Sequence, residues 1–284
     1  MKDFLGYDDL TARLNKLNRE GAKVSSIGRS ERGLDIWCAQ VGNGNTKIIV
    51  TSAIHARENV TALLTLMQAE YLLSQEIDCT IYFVPMLNPD GAMLIEKGTV
   101  GEQKWTQRLV EINGGSEDFS LWKANANAVD LNVNFDARFG KGCQNVFNPS
   151  SQNYVGESAF SESETCALRD FTLHIQPHAT LSYHAKGRVL YWYFHQQDSI
   201  KRRDKKIARK LNSFLEYDLG KDYTDSAGGY KDWCIEKLKI PAFTIEIGKD
   251  EYSHPLSLSV ANEEWSRNKD IPLVLAKLLQ KEKI

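Results

Sequence analysis

Residues 47–73 read KIIVTSAIHARENVTALLTLMQAEYLL, and three successive patterns in this stretch decide the fold. Residues 47–52 form a short β-branched, apolar run of the kind that makes a strand. Residues 58–73 then carry a helical pattern. Between the two lies Ser52-Ala53-Ile54-His55-Ala56-Arg57-Glu58, which places a histidine and a glutamate three apart where the strand gives way to the helix. Both side chains can face one point there.

The same alternation extends outward from this unit. Residues 7–17 have helical spacing, 34–41 read as a strand, and Gly42-Asn43-Gly44-Asn45 before the 47–52 strand is a hairpin turn signal. Downstream, 79–86 read as a buried strand ending in the turn Asn88-Pro89-Asp90-Gly91. Residues 162–173 resume helix, 178–183 and 189–194 look like strands, and 242–247 are a short apolar strand interrupted by one acid. Strands alternating with helices imply an α/β protein, and with no repeat or internal boundary in view, residues 1–284 read as a single domain. The polar, irregular stretches 98–118 and 136–163 are too long for ordinary connections and are expected to shape the rim of a cleft.

Bulk properties narrow the function classes. Lys plus Arg is 35 against 37 Asp plus Glu, a formal charge of -2, so no global field favours nucleic acid or an anionic membrane. The basic run Lys201-Arg202-Arg203 with Lys205-Lys206 is read as the solvated face of a helix that starts near Asp198 and continues through Leu211 and Phe214. Five widely spaced cysteines without a CxxC suggest neither a disulfide framework nor a cysteine zinc site. Acidic residues Asp3, Asp8 and Asp9 near the start do not fit a signal peptide, and no segment approaches the ~20 apolar residues of a membrane span. A cytoplasmic location is the expectation.

Three elements carry chemistry. His55 and Glu58 offer an imidazole nitrogen and a carboxylate, donors that zinc accepts, although HxxE is common by chance and a first-turn glutamate at a helix start is an ordinary alternative. His184 closes the apolar strand Leu181-Ser182-Tyr183-His184, at the kind of strand end where α/β sites gather; alone it could be a hydrogen-bonded core histidine, but it supplies a third ligand. Glu246 lies within Ala242-Phe243-Thr244-Ile245-Glu246-Ile247-Gly248, where a carboxylate must be paired, hydrated or functional. Facing a metal, it could take a proton from water at the zinc and pass it to a leaving amine; a structural salt bridge is the alternative.

Taken together, the chain resembles the zinc carboxypeptidase family over nearly its full length. Five signals stand in that family's order: His55-Ala56-Arg57-Glu58; Asn88-Pro89-Asp90-Gly91; Val129-Asp130-Leu131-Asn132 with Asn134-Phe135; Ser182-Tyr183-His184; and Ala227-Gly228-Gly229 to Asp232-Trp233 followed by Glu246. The resemblance implies a mixed, mostly parallel eight-stranded sheet sandwiched between helices, one zinc ion on His55, Glu58 and His184, and Glu246 as general base. It further implies that Arg57 helps hold the substrate near the scissile carbonyl, that Asn132 and Tyr223 lie at the substrate, and that Asp130 orients a ligand imidazole.

The departures bear on substrate. Members of the family carry an arginine that clamps the substrate's C-terminal carboxylate where this chain has Val133. A second arginine, expected just before Val129-Asp130 to stabilise the oxyanion, is absent from Asn125-Ala126-Asn127-Ala128, leaving Arg57, Asn127, Arg138 or the zinc for that duty. Lys231 follows Gly228-Gly229-Tyr230 where the family tunes specificity by charge, and favours a carboxylate-bearing substrate unless it is a solvated loop lysine. These features, with residues 183–192, look most like the bacterial branch that cleaves γ-D-glutamyl-diamino acid bonds, so the expected partner is a small peptide, a muropeptide whose extra carboxylates Lys231, Arg57, Arg138 or Lys186 can pair with. A broad carboxypeptidase with a rebuilt clamp, an N-acyl amino acid hydrolase and a peptide-binding module without turnover remain alternatives.

Overall fold

The strands expected at 47–52 and 79–86 lie side by side inside an eight-stranded sheet in the computed structural model, which describes residues 4–98 and 103–282. The first half of the chain comprises α1 (Tyr7–Arg19), β1 (Lys23–Arg29), β2 (Asp35–Val41), β3 (Lys47–Ser52), α2 (Val60–Leu73), β4 (Thr80–Val84), α3 (Pro89–Lys97) and α4 (Gln103–Ile112). The second comprises α5 (Ser163–Ile175), β5 (Ala179–Ala185), β6 (Val189–Tyr191), α6 (Asp198–Leu215), β7 (Asp218–Leu219), α7 (Tyr230–Trp233), β8 (Ala242–Ile247), α8 (Ser259–Asn268) and α9 (Ile271–Glu282).

The strand order is β1-β2-β4-β3-β5-β8-β6-β7. The central strands β4, β3, β5 and β8 run parallel; β1 pairs antiparallel with β2, β2 with β4 and β6 with β8, while β6 and β7 are parallel. This is the expected mixed, mostly parallel sheet. All seven residues of β5 are buried, as a central parallel strand covered on both faces requires. Alternate strand residues feed two cores. Val50, Leu181 and Ile245 pack with α1, α2, α6, α8 and α9 on one face, while Ile49, Val84 and Ala242 pack with α5 and the 230–235 segment on the other. The helix at 198–215 buries Ile207, Ala208, Leu211 and Leu215; of its basic run Arg202 and Lys206 are exposed, while Lys201 and Lys205 pair with Asp222 and Arg203 with Asp204.

Three expectations are corrected. Gly42–Asn45 does not close a hairpin, because β4 lies between β2 and β3 and pairs with both. Its glycines are needed for close packing instead: a Cβ on Gly42 would stand 2.2 Å from the Cys79 carbonyl oxygen, and one on Gly44 2.5 Å from the Cys79 nitrogen. Asn88-Pro89-Asp90-Gly91 is not a reverse turn but the start of α3, with the Asn88 side chain accepting the Gly91 N–H and Pro89 in the first turn. The 98–118 stretch contains α4, whose residues Leu109 and Trp105 pack with Phe119 and Trp122 in a third core; residues 99–102 lie outside the described residues. Strands β1 and β7 and helices α8 and α9 add to the expected elements. Among the described residues no helix is long and apolar enough to cross a membrane.

Candidate metal centre and cleft

The four parallel strands end on one edge of the sheet, and the segment leaving β3 is held there by its neighbours. Ala53 takes a left-handed conformation (φ 44°) and donates its N–H to Thr61 Oγ1 at 2.9 Å. Asn88 Nδ2 donates to the carbonyls of Ile54 at 3.2 Å and Ala124 at 3.0 Å, bracing the segment against a second loop. The N–H groups of Ala56 and Arg57 donate to the carbonyls of Lys123 and Trp122 at 3.1 and 3.0 Å. His55 therefore enters the 3-10 turn Ala56–Glu58 in a fixed orientation, and α2 begins only at Val60.

His55, Glu58 and His184 converge. His55 Nδ1 is 2.8 Å from Glu58 Oε1, and His184 Nδ1 is 3.1 Å from Glu58 Oε2. All three side chains are buried, and one nitrogen or oxygen from each lies within 4.8 Å of the others. Two imidazole nitrogens and one carboxylate beside a cavity form a donor set suited to zinc, with room for further coordination. The other close acidic group, Glu31, Glu162 and Glu164, is all carboxylate, and Asn125, Asn127 and Ser161 donate hydrogen bonds into it. It lacks the imidazole nitrogens of the first group, and those hydrogen bonds already occupy its oxygens.

The free nitrogen of His55, Nε2, is 3.1 Å from Asp130 Oδ1. Asp130 also accepts the N–H of Asn132 at 3.0 Å on Oδ1 and that of Asn153 at 3.0 Å on Oδ2. Burial would raise its carboxyl, but Lys123 and His55 outweigh that and hold it well below the usual range. The same competition acts at His55, where burial alone would lower the imidazole and Glu58 and Asp130 turn the shift upward. Glu58 is held well below the carboxylate range because the two histidines outweigh its burial.

Glu246 is the register partner of His184 across β5 and β8. Loss of water around its carboxyl pushes it up to about 7, with Glu58 adding to the rise while His184, Lys123 and Arg57 oppose it. A carboxyl with that value can both accept and return a proton near neutrality.

His55, His184 and Glu246 line one cavity of about 440 Å3. Asn132, Lys231 and Tyr223 line it too, as does Val133. Lys231 donates to the Tyr193 carbonyl at 3.0 Å and pairs with Asp232 at 2.5 Å, while Tyr223 is 71% exposed at the rim. Arg57, Asn127 and Arg138 are not among the lining residues: Arg57 donates to the Leu121 carbonyl, Asn127 to Glu162, and Arg138 pairs with Glu236 at 3.4 Å. The sequence reading missed Lys123, which lines the cavity 3.4 Å from Asp130 Oδ2, and the aromatic walls Tyr191 and Tyr193. Lys123 lies two residues before Asn125-Ala126-Asn127-Ala128, where the family's arginine is absent.

Two strips of chain that contribute lining residues to the cavity are joined at Gly228. Gly228 accepts the Phe135 N–H at 2.9 Å and donates to the Ala137 carbonyl at 2.8 Å. Its φ is 87°, and a Cβ there would stand 2.6 Å from the Val133 carbonyl oxygen. Glycine is required on both counts. The strip carrying Asn132 and Val133 is thereby joined to the one that leads into Lys231.

The chain is similar to known proteins in sequence and in fold. The profile of the zinc carboxypeptidase family fits residues 7–270. The chain is 30% identical over 248 residues to gamma-D-glutamyl-L-diamino acid endopeptidase 1 of Lysinibacillus sphaericus, an alignment covering 81% of this chain but 62% of that protein, less than two thirds of its length. It is 28% identical over 246 residues to a zinc carboxypeptidase of Simulium vittatum, covering 78% and 76% of the two chains. Carboxypeptidase A from Helicoverpa armigera superposes with a TM-score of 0.74 at 19% identity, over 96% of this chain and 73% of that one. The murein-tripeptide amidase MpaA from Escherichia coli O157 superposes with a TM-score of 0.59 at 20% identity, over 92% and 94%. At such identities the two structures speak for the fold.

Proposed function

The chain belongs to the zinc carboxypeptidase family of metallopeptidases, and from that premise we propose that it hydrolyses amide bonds of small cell-wall peptides, specifically the γ-D-glutamyl-diaminopimelate bond. His55, Glu58 and His184 hold one zinc ion in this reading. When bound, the metal supplies Lewis-acid polarisation of the scissile carbonyl and makes water a better nucleophile near neutral pH. Asp130 fixes the ring of His55 through Nε2. Glu246 accepts the proton of the attacking water and delivers it to the leaving amine, transfers favoured by the burial that makes its carboxyl a stronger base than an exposed one.

The observation that carries the choice of substrate is Val133. It lines the cavity where the family's clamp for a terminal carboxylate is expected, and an isopropyl group cannot bind a carboxylate. Cations remain in the cavity in Lys123 and Lys231, which suits a substrate that carries carboxylates besides the terminal one. Lys231 would meet a carboxylate of the diamino acid, and Asn132 and Tyr223, which line the same cavity, complete the proposed substrate contacts. The likeness to a relative named for γ-D-glutamyl-L-diamino acid bonds supports the same reading.

The test is mass spectrometry of L-Ala-γ-D-Glu-meso-diaminopimelate incubated with zinc-loaded protein, beside a plain peptide ending in a free aromatic residue. Release of diaminopimelate is the expected result. Cleavage of the plain peptide alone would replace this reading with a carboxypeptidase that has a rebuilt clamp, and cleavage of neither would favour a binding module.

A further inference from the structure

Three lysines line the cavity: Lys123, Lys221 and Lys231. Lys221 is exposed to solvent, and Lys231 is engaged by the Tyr193 carbonyl and by Asp232. Lys123 differs from both. Its side chain is 15% exposed, and among the described residues its ammonium meets only Asp130 Oδ2, at 3.4 Å. That oxygen already accepts the Asn153 N–H, and the other oxygen of Asp130 is taken by His55 and by the Asn132 N–H. An ammonium has three donors, and a single carboxylate oxygen cannot occupy all of them. The remaining donors of Lys123 have the cavity to turn to.

Its position is set as firmly as its charge. The Lys123 carbonyl accepts the Ala56 N–H, next to His55, and its own N–H donates to the Ser151 carbonyl at 3.0 Å. Through Asp130 its ammonium shares a carboxylate with His55. Lys123 therefore stands at the catalytic end of the cavity, whereas Lys231 enters from α7 beside Tyr193 and Phe194. In a γ-glutamyl amide, the carboxylate on the acyl side of the scissile bond is the free α-carboxylate of the same glutamate. An ordinary α-peptide has no charge there.

We propose that Lys123 is a specificity-determining residue that binds the α-carboxylate of the γ-linked glutamate, so that the cleft recognises its substrate by anions on both sides of the scissile bond. The assignment rests on the γ-glutamyl reading above. It adds a requirement on the acyl side, which a terminal-carboxylate clamp would not impose.

Binding of the acyl product decides it without turnover. Titration calorimetry of zinc-loaded protein would compare L-Ala-D-Glu with its α-amide, L-Ala-D-isoglutamine, in the wild type, Lys123→Met and Lys123→Arg. The wild type is expected to bind the acid about ten-fold or more tightly than the amide, in keeping with one charge-assisted contact. Lys123→Met should bring the two affinities to within about two-fold, and Lys123→Arg should keep most of the preference. An unchanged acid-to-amide ratio in Lys123→Met, or a wild type that binds neither compound, would overturn the proposal. So would parallel losses of acid binding, amide binding and zinc content in Lys123→Met, which would make the lysine a counter-charge for Asp130 only. A wild type that shows the preference yet releases no diaminopimelate would instead sink the proposed activity and leave Lys123 assigned to a γ-glutamyl acid that the protein binds.

Discussion

His184 and Glu246 are direct partners in the parallel pair of β5 and β8, so a candidate ligand and the candidate base are held by the same ladder of main-chain hydrogen bonds. Neither depends on a loop for its position. Glu58 then links His184 to His55 with one carboxylate oxygen directed at each imidazole. On the proposed roles, metal binding and proton transfer fall to different residues, and the two should be removable independently.

Glu246→Gln should retain about one zinc per chain and lose about 10²–10⁴-fold in kcat, since general acid–base catalysis contributes on that scale. His184→Ala should lose both metal and activity. Zinc by atomic emission after dialysis, together with turnover of each variant, checks the pair; full activity in the glutamine variant would remove Glu246 from the mechanism.

Asp130→Asn leaves a similar shape beside His55 Nε2 but removes the charge. Zinc affinity is expected to fall about 10–100-fold, the usual cost of losing a carboxylate that supports a ligand histidine. Competition against a chromophoric chelator reads this directly. An affinity equal to wild type would reduce Asp130 to a brace for Asn132 and Asn153.

Val133→Arg puts a guanidinium into the cavity. Activity on a plain peptide with a free C-terminal carboxylate should rise, chiefly through KM, while its C-terminal amide should gain nothing. Equal changes on acid and amide would mean that this position does not face the end of such a substrate.

A pH effect is expected away from the cleft. Burial, reinforced by Asp90, pushes Glu164 from the usual carboxylate range up to about 8. Between roughly pH 4.5 and 8 the folded chain then holds a proton that the unfolded chain has released, so stability falls as pH rises through that window. Glu164→Gln abolishes this titration. Its Tm should gain on the wild type steadily from pH 5 to pH 8, by the equivalent of ~1–3 kcal/mol at the upper end. Melting curves that stay parallel across the range would show that Glu164 ionises freely.

The legible part of the molecule was the part governed by short-range pattern. His55 and Glu58 lie three residues apart on one local turn, and His184 and Glu246 are polar residues in apolar runs, so each drew notice singly. That they meet depends on β5 lying between β3 and β8, which spacing along the chain does not express and which came only with the family resemblance. Gly42–Asn45 misled because glycines that permit a tight crossing look like glycines that permit a hairpin. Lys123 was missed because its role depends on contacts with Ala56, Asp130 and Ser151, and a lysine beside a tryptophan carries no local sign of them. Arg138 drew notice for its charge, but its side chain pairs with Glu236 instead of lining the cavity.

The joint at Gly228 bears on how such a cleft can be altered. Its two hydrogen bonds and its close approach to the Val133 carbonyl tie the strip bearing position 133 to the strip that leads to position 231. A change at one position will shift the background against which the other is judged, so substitutions there will combine non-additively. A search for new specificity should randomise the two sites together, because the best partner for an altered Val133 need not be the lysine now at 231.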